Sequence, residues 1–374
     1  MMRTIFPGQT IGIIGGGQLG RMMALAAKEA GFKIAVLDPA MDSPCGQVAD
    51  IQIVAPFNDE TALEELAEVS NVITYEFENI DYQGLKRLAE IAYVPQGAEL
   101  VRITQNRITE KAEIRLANVP VANYIVATSH TELRANIENI GFPCIVKTAY
   151  GGYDGKGQLK LNAIEDLELT KPLFEHGVCI AEAFVPFVKE ISVIVQRNGN
   201  GETYCLPVGE NIHHQHILHE TIVPARVSEH ILTQATIAAE QIADHLQLVG
   251  TLAVEMFVLQ DDTLVINELA PRPHNSGHYS LEACNISQFH QHIRAICGWP
   301  LRKPDLHQPC VMVNVLGEHV VPLTNVMSKY PEWSIHLYGK DEAKEKRKMG
   351  HVTILTADVN KTLNEIKHSG IWSE

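Results

Sequence analysis

The sequence predicts an α/β chain with a doubly wound parallel sheet at its N-terminus, α+β lobes in the middle and a small, mostly β piece at the end. Three observations predict it. The apolar run Thr10–Ile14 passes through Gly15-Gly16-Gly17-Gln18-Leu19-Gly20 into residues at helical spacing, and a second apolar run, Lys33–Leu37, follows. That strand, glycine turn, helix, strand order belongs to parallel sheets. Further on, Thr251–Leu259 and Thr263–Leu269 flank Gln260-Asp261-Asp262 as two arms of a hairpin. From about Leu301 the chain reads as short strands interrupted by the charged run Asp341–Lys348.

The elements follow in order. Leu19, Met22, Met23, Ala26 and Ala30 recur on one helical face, and Gly31 ends that helix. Asp59–Val69 reads as a helix before the strand Val72–Tyr75, and Pro95-Gln96-Gly97 is an exit from the first domain. Thr104–Ala117 reads as one charged helix. Cys144–Lys147 is a strand leading to the glycine-rich loop 151–157, and Val178–Ala183 and Lys189–Gln196 are further strands. Ser228–Leu246 is helical, and Gly298-Trp299-Pro300 closes another helix. The expected domains are residues 1–97, 98–300 with a flexible lobe at about 120–185, and 301–374.

Composition narrows the function. Thirty Lys and Arg stand against 45 Asp and Glu, a net charge of −15. That balance argues against nucleic acid or an anionic membrane as partner. No run approaches the roughly 20 apolar residues of a membrane span. The seven cysteines form no C-x-x-C pair and several lie in apolar strings, as expected of reduced core residues in a cytoplasmic protein. No targeting segment is read at the start.

Two glycine loops compete for interpretation. Gly15–Gly20 satisfies G-x-G-x-x-G, and Asp38 ends the next strand, where an acid would meet a ribose hydroxyl. Taken alone, this supports a dehydrogenase, a bare structural turn, or a phosphate-bearing substrate at a helix N-terminus. The second loop, Tyr150–Gln158, lacks the spacing and the Ser or Thr of a P-loop. It suits instead a flexible flap over phosphates, with Lys147 on the preceding strand.

Glu255 on one hairpin arm and Asn267-Glu268 at the end of the other form a hard-oxygen set for Mg²⁺, or Mn²⁺ in its place. A salt bridge to Lys or Arg is the alternative. Ala270-Pro271-Arg272-Pro273-His274-Asn275-Ser276-Gly277-His278 follows at once, with Arg272 presented rigidly between two prolines. His213, His214, His216 and His219 lack the partner spacing of a zinc motif.

Together with Thr74–Asn79, Tyr338-Gly339-Lys340 and Arg347–His351, these strings resemble the ATP-grasp superfamily and, more narrowly, its 5-(carboxyamino)imidazole ribonucleotide synthases. The resemblance spans most of the chain in the family's order. It implies a Rossmann-like pre-ATP-grasp sheet, ATP-grasp lobes and a reaction in which ATP, bicarbonate and 5-aminoimidazole ribonucleotide give the carboxyamino product, ADP and phosphate in purine biosynthesis.

It also implies roles. Arg107 and Lys147 contact the ATP phosphates, and Gly152, Tyr153, Asp154, Gly155, Lys156, Gly157 and Gln158 close over them. Glu182, Ala183, Phe184 and Val185 meet adenine, Glu190 meets ribose, and His213, Phe257 and Asn267 lie near the nucleotide. Glu255 and Glu268 hold the metal. Gln18, Leu19, Glu76, Tyr153, Asp154, Arg272, His274, Asn275, Ser276, Lys340 and Arg347 bind the ribonucleotide, with Arg272, Asp154 and Lys156 at the reacting groups. A homodimer and handover of the product to a mutase are implied as well. Other ATP-grasp carboxylate–amine ligases, such as the formate-using glycinamide ribonucleotide enzyme or biotin carboxylase, would share the ATP site and differ at Glu76, Tyr153, Lys340 and Arg347.

Overall fold

The computed structural model describes residues 3–151 and 157–372. The first sheet is parallel throughout: β1 (Thr10–Ile14), β2 (Lys33–Asp38), β3 (Ile51–Val54) and β4 (Val72–Tyr75) lie in the order β3-β2-β1-β4. Its helices are α1 (Gln18–Glu29), α2 (Glu60–Val69) and α3 (Tyr82–Ile91). The apolar face of α1, with Leu19, Met22, Met23, Ala26 and Ala27, is buried in one core cluster, while Leu63 and Leu66 of α2 lie in another. Parallel strands covered on both faces read as continuous apolar runs, as β1 and β2 do here.

The expected helix Thr104–Ala117 is two helices, α4 (Glu99–Thr104) and α5 (Arg107–Leu116). Asn106 breaks it: its side-chain oxygen accepts from the N–H groups of Ile108 and Thr109 and caps α5. Arg107 thereby becomes the first residue of a helix at the edge of the site.

The second sheet is antiparallel, β5 (Tyr124–Ala127), β6 (Cys144–Thr148), β7 (Gln158–Leu161) and β8 (Cys179–Ala183), in the order β5-β8-β6-β7. Helix α6 (His130–Asn136) and a 3₁₀ segment, Ile164–His176, pack on it.

The third sheet holds nine strands among the described residues. They are β9 (Phe187–Arg197), β10 (Thr203–Cys205), β11 (Gly209–His214), β12 (Ile217–Val223), β13 (Gly250–Leu259), β14 (Leu264–Ala270), β15 (Cys310–Leu316), β16 (Trp333–Leu337) and β17 (Lys348–Leu355). The order is β14-β13-β9-β11-β12-β15-β17-β16, with β10 beside β9. The C-terminal strands therefore continue the central sheet through the β12–β15 pairing. Helix α7 (Glu229–His245), capped by Ser228, covers the β13–β9 region. The short α8 (Ser280–Ala283) and α9 (Gln288–Ile296) connect the central sheet to the first domain, where Phe289 and Ile293 join the α1 core. Two C-terminal helices missing from the sequence reading, α10 (Val320–Val326) and α11 (Val359–His368), bury Leu323 and Ile366 against Trp333 and Val352.

All seven cysteines are free, and all but Cys205 are buried. No helix among the described residues is long and apolar enough to cross a membrane.

The caps offer a clean stability test. Asp81 accepts from the N–H groups of Gln83 and Gly84 at the start of α3. Asp81→Ala should lower unfolding stability by about 1 kcal/mol in urea denaturation; an unchanged midpoint would show that the cap contributes nothing.

Candidate active site

A cavity of about 840 Å³ opens between the second sheet and the central one. Lys147 and Glu182 line it from β6 and β8, Glu255 and Phe257 from β13, and Asn267 and Glu268 from β14. Arg107, Gln158, Ala183, Phe184, Val185, Glu190, His213, Arg272, His274 and Asn275 complete the part of the lining expected from the sequence.

The floor is set by strand register. Glu255 on β13 pairs directly with Glu268 on β14, next to a bulge. Burial and the nearby Glu268 charge push the Glu255 carboxyl up to about 8. Burial and the same Glu268 charge also push Glu110 up to about 8, while Glu110 accepts the Leu269 N–H at 2.7 Å. Buried carboxylates beside another carboxylate's charge are a hard-oxygen donor set that a divalent cation would relieve. Arg107 lies 3.5 Å from Glu268, and His274 lies 3.3 Å from Glu255. Burial, with Arg272 nearby, drives His274 well below its ordinary value, so it is neutral and cannot act as a counter-ion. The donor set thus fits a metal.

The wall toward β6 and β8 is organised by Glu182. One of its oxygens lies 3.2 Å from Lys147 and 3.3 Å from Lys111, while its other oxygen is buried without a hydrogen-bond partner. Burial opposes its charge, yet the two ammonium groups hold it below the usual carboxylate range. The carboxylate thus positions Lys147, while Glu182 itself stays in the cavity lining. The N–H groups of Ala183 and Phe184 are likewise taken, by the carbonyls of Asn123 and Pro143. Phe187 and Phe257 stack at 4.5 Å between ring centroids, both on the cavity wall. Glu190 lies 2.7 Å from His213. Burial alone would lower His213, but the Glu190 bond raises it.

The first glycine loop is satisfied from within. Gly16 N–H donates to Asp38 at 2.7 Å, and Gly17 and Gly20 N–H donate to the two oxygens of Glu76 at 2.6 and 2.7 Å. These are the donors that would cradle a pyrophosphate, so the dinucleotide reading fails. Gly15, at φ +102°, makes the turn, and a Cβ there would collide with Glu76 and Phe77. Glu76 thus supports the loop with one hydrogen bond to each of its oxygens. The Leu19 side chain is in the core under α1, which leaves its backbone in the first turn of that helix. Ser276 is fully buried and bonds to Ser192 and His274, so it orients His274 from behind the cavity wall.

Arg272 grips Glu78 through two hydrogen bonds, at 2.5 and 3.1 Å. Asn275 lines the cavity with both amide atoms buried and without hydrogen-bond partners, a donor and an acceptor ready for a ligand. Gln18, Gly157, Lys340 and Arg347 are not in the cavity lining. Gly157 closes its loop, its carbonyl accepting from Thr148. Lys340 lies beyond the wall, donating to the carbonyl of Lys348, itself a lining residue. Burial and nearby Arg347 push Lys340 down to about 8. Gly152, Tyr153, Asp154, Gly155 and Lys156 lie outside the described residues.

Sequence reasoning missed Glu78, Glu110, Lys111, Phe187 and Lys348. Glu110 and Lys111 carried a signal, adjacent charges that a half-buried helix must pair. Lys348 ends the charged run Asp341–Lys348, a pattern that by itself reads as a solvated surface.

Comparisons with known proteins extend the picture. The ribonucleotide synthetase preATP-grasp domain family matches residues 8–105, and the ATP-grasp domain family matches 112–289. The phosphoribosylaminoimidazole carboxylase C-terminal domain family matches 310–365. An N5-carboxyaminoimidazole ribonucleotide synthase of Bacillus subtilis is 52% identical over 362 residues, covering 97% of this chain and 95% of that one. An N5-carboxyaminoimidazole synthetase from Staphylococcus aureus, solved with ADP, superposes with a TM-score of 0.94 at 45% identity, covering 98% of each chain. A synthase from Aspergillus clavatus, solved with ADP and 5-aminoimidazole ribonucleotide, gives 0.90 at 30% identity, covering 96% of this chain and 97% of that one.

The carboxylate floor predicts a pH signature. A cation must displace the proton that Glu255 retains up to about pH 8. Mg²⁺ affinity, read by calorimetry, should rise with pH by up to roughly tenfold per unit and level off above about 8, with proton release. A flat profile from about pH 6 to about 9 would place the cation elsewhere.

Proposed function

The chain belongs to the N5-carboxyaminoimidazole ribonucleotide synthase family, and on that premise we propose how its own residues carry the reaction. It is an ATP-grasp ligase that forms a carbon–nitrogen bond, carboxylating 5-aminoimidazole ribonucleotide to the N5-carboxyamino product with ATP as co-substrate in purine biosynthesis. The carbon source is bicarbonate, and the intermediate is carboxyphosphate, formed when bicarbonate attacks the γ-phosphate. The domains are residues 1–97, 98–300 and 301–374.

Adenine lies along 182–185 against Phe257 and Phe187, and Glu190 takes the ribose. Lys147 and Arg107 face the phosphates. Lys147 is poised for this: burial pushes its pKa down, with Glu182 working against that shift. An arriving phosphate stabilises its charge. Glu255 and Glu268 would hold one or two Mg²⁺, which would supply charge neutralisation for the phosphates. No protein nucleophile is needed, so catalysis is positioning plus electrostatic stabilisation of an anionic transition state.

Arg272, locked by Glu78, faces the bicarbonate-derived anion, with His274 and Asn275 beside it. Lys340 and Arg347 take the ribonucleotide phosphate, and Gln18 reaches it from the start of α1. Tyr153, Asp154 and Lys156 act on the reactants. The observation that carries this reading is one cavity joining the Glu255–Glu268 pair and Lys147 to Arg272, His274 and Asn275. A chain of this function works in the cytoplasm as a homodimer and passes its labile product to a mutase.

ADP release should rise strongly when 5-aminoimidazole ribonucleotide and bicarbonate are both supplied. No stimulation by the ribonucleotide would overturn the assignment. Lys340→Ala should raise the KM for the ribonucleotide by about tenfold or more while leaving that for ATP nearly unchanged, because one charge-assisted phosphate contact is worth about 1.5–3 kcal/mol. Equal effects on both would misplace the phosphate pocket.

A further inference from the structure

A second cluster of metal-ligating side chains lies away from the carboxylate floor. His336 on β16 pairs in register with His351 on β17, so the two imidazoles stand side by side on one face of the sheet. Their rings stack at 4.6 Å between centroids. Glu282 comes to them from α8, placing one oxygen 2.6 Å from His336 Nε2. One ligand atom from each of the three residues lies within 4.8 Å of the others.

Two further observations point to a ligand. His351 is fully buried, and its Nε2 has no hydrogen-bond partner. The second oxygen of Glu282 is also buried and unpartnered. Unsatisfied buried polar atoms are costly, and two of them in one three-residue cluster call for a common partner. The other ring nitrogen of His351, Nδ1, lies 2.9 Å from the Tyr338 hydroxyl. A bound ion selects the tautomer in which Nδ1–H donates to that oxygen and Nε2 turns its lone pair to the metal, the usual outer support of a ligating histidine. His336 is about a third exposed, at 36%. It gives an ion a path from solvent.

We propose that Glu282, His336 and His351 form a binding site for a borderline divalent transition ion, Zn²⁺ by chemical class, that ties the C-terminal strands to α8. Two imidazoles and a carboxylate with an open fourth position suit Zn²⁺, whereas Mg²⁺ prefers oxygen ligands throughout. The site is structural. Helix α8 follows directly on the segment that carries Arg272, His274 and Asn275, and β16 leads into Tyr338 and Lys340. The ion would hold these two segments in register.

The test is Co²⁺ and Zn²⁺ titration of the untagged full chain with Mg²⁺ in excess to occupy the carboxylate floor. Co²⁺ should bind at one equivalent with a visible d–d absorption, and Zn²⁺ should displace it and raise the Tm. Glu282→Gln and His336→Gln, on separate elements and both only partly buried, should each weaken binding by roughly tenfold or more. Unchanged affinity in both folded variants, or no binding to the native chain, would overturn the proposal.

Discussion

Antiparallel register sets Glu255 against Glu268, and much of the site is arranged around that unfavourable pair. A buried carboxylate such as Glu255, facing another across the sheet, ionises only with nearby positive charge. Arg107 reaches Glu268 because Asn106 breaks the preceding helix and starts a new one there. Lys147 is held over the cavity by Glu182, which Lys111 steadies from α5. Arg107 and Lys147 are thus each placed by a neighbouring residue, Asn106 and Glu182.

The same logic resolves the net charge of −15. Every ligand of the reaction is an anion, so an acidic chain must concentrate its positive charge locally. It does so with buried or partly buried Arg and Lys groups tied to acids: Arg272 to Glu78 and Lys147 to Glu182. The acids fix the direction of each cation and raise the cost of moving it. A ligand then meets a preorganised set of charges rather than flexible side chains.

The N-terminal glycine turn shows how a correct local reading can mislead. Gly15–Gly20 makes the turn and opens a helix, as its spacing implies. What occupies the N–H groups was invisible, because Asp38 and Glu76 arrive from the ends of β2 and β4. In a parallel sheet the C-terminal ends of neighbouring strands converge on that helix start. Here they bring acids, so the chain itself supplies the anion.

Strands, most helices and the hairpin were legible in the residues, since apolar periodicity and turn residues act locally. The two carboxylates of the hairpin and the Arg272 segment were legible for the same reason, being close in sequence. Missed were partners far apart in the chain: Glu78 for Arg272, Lys111 for Glu182, and His336 beside His351 and Glu282. The sequence by itself determined which segments become strands, helices and turns, and which residue types the chemistry can draw on. Only the tertiary structure decided which charges meet, because strand order and register bring distant residues together and burial makes each meeting matter.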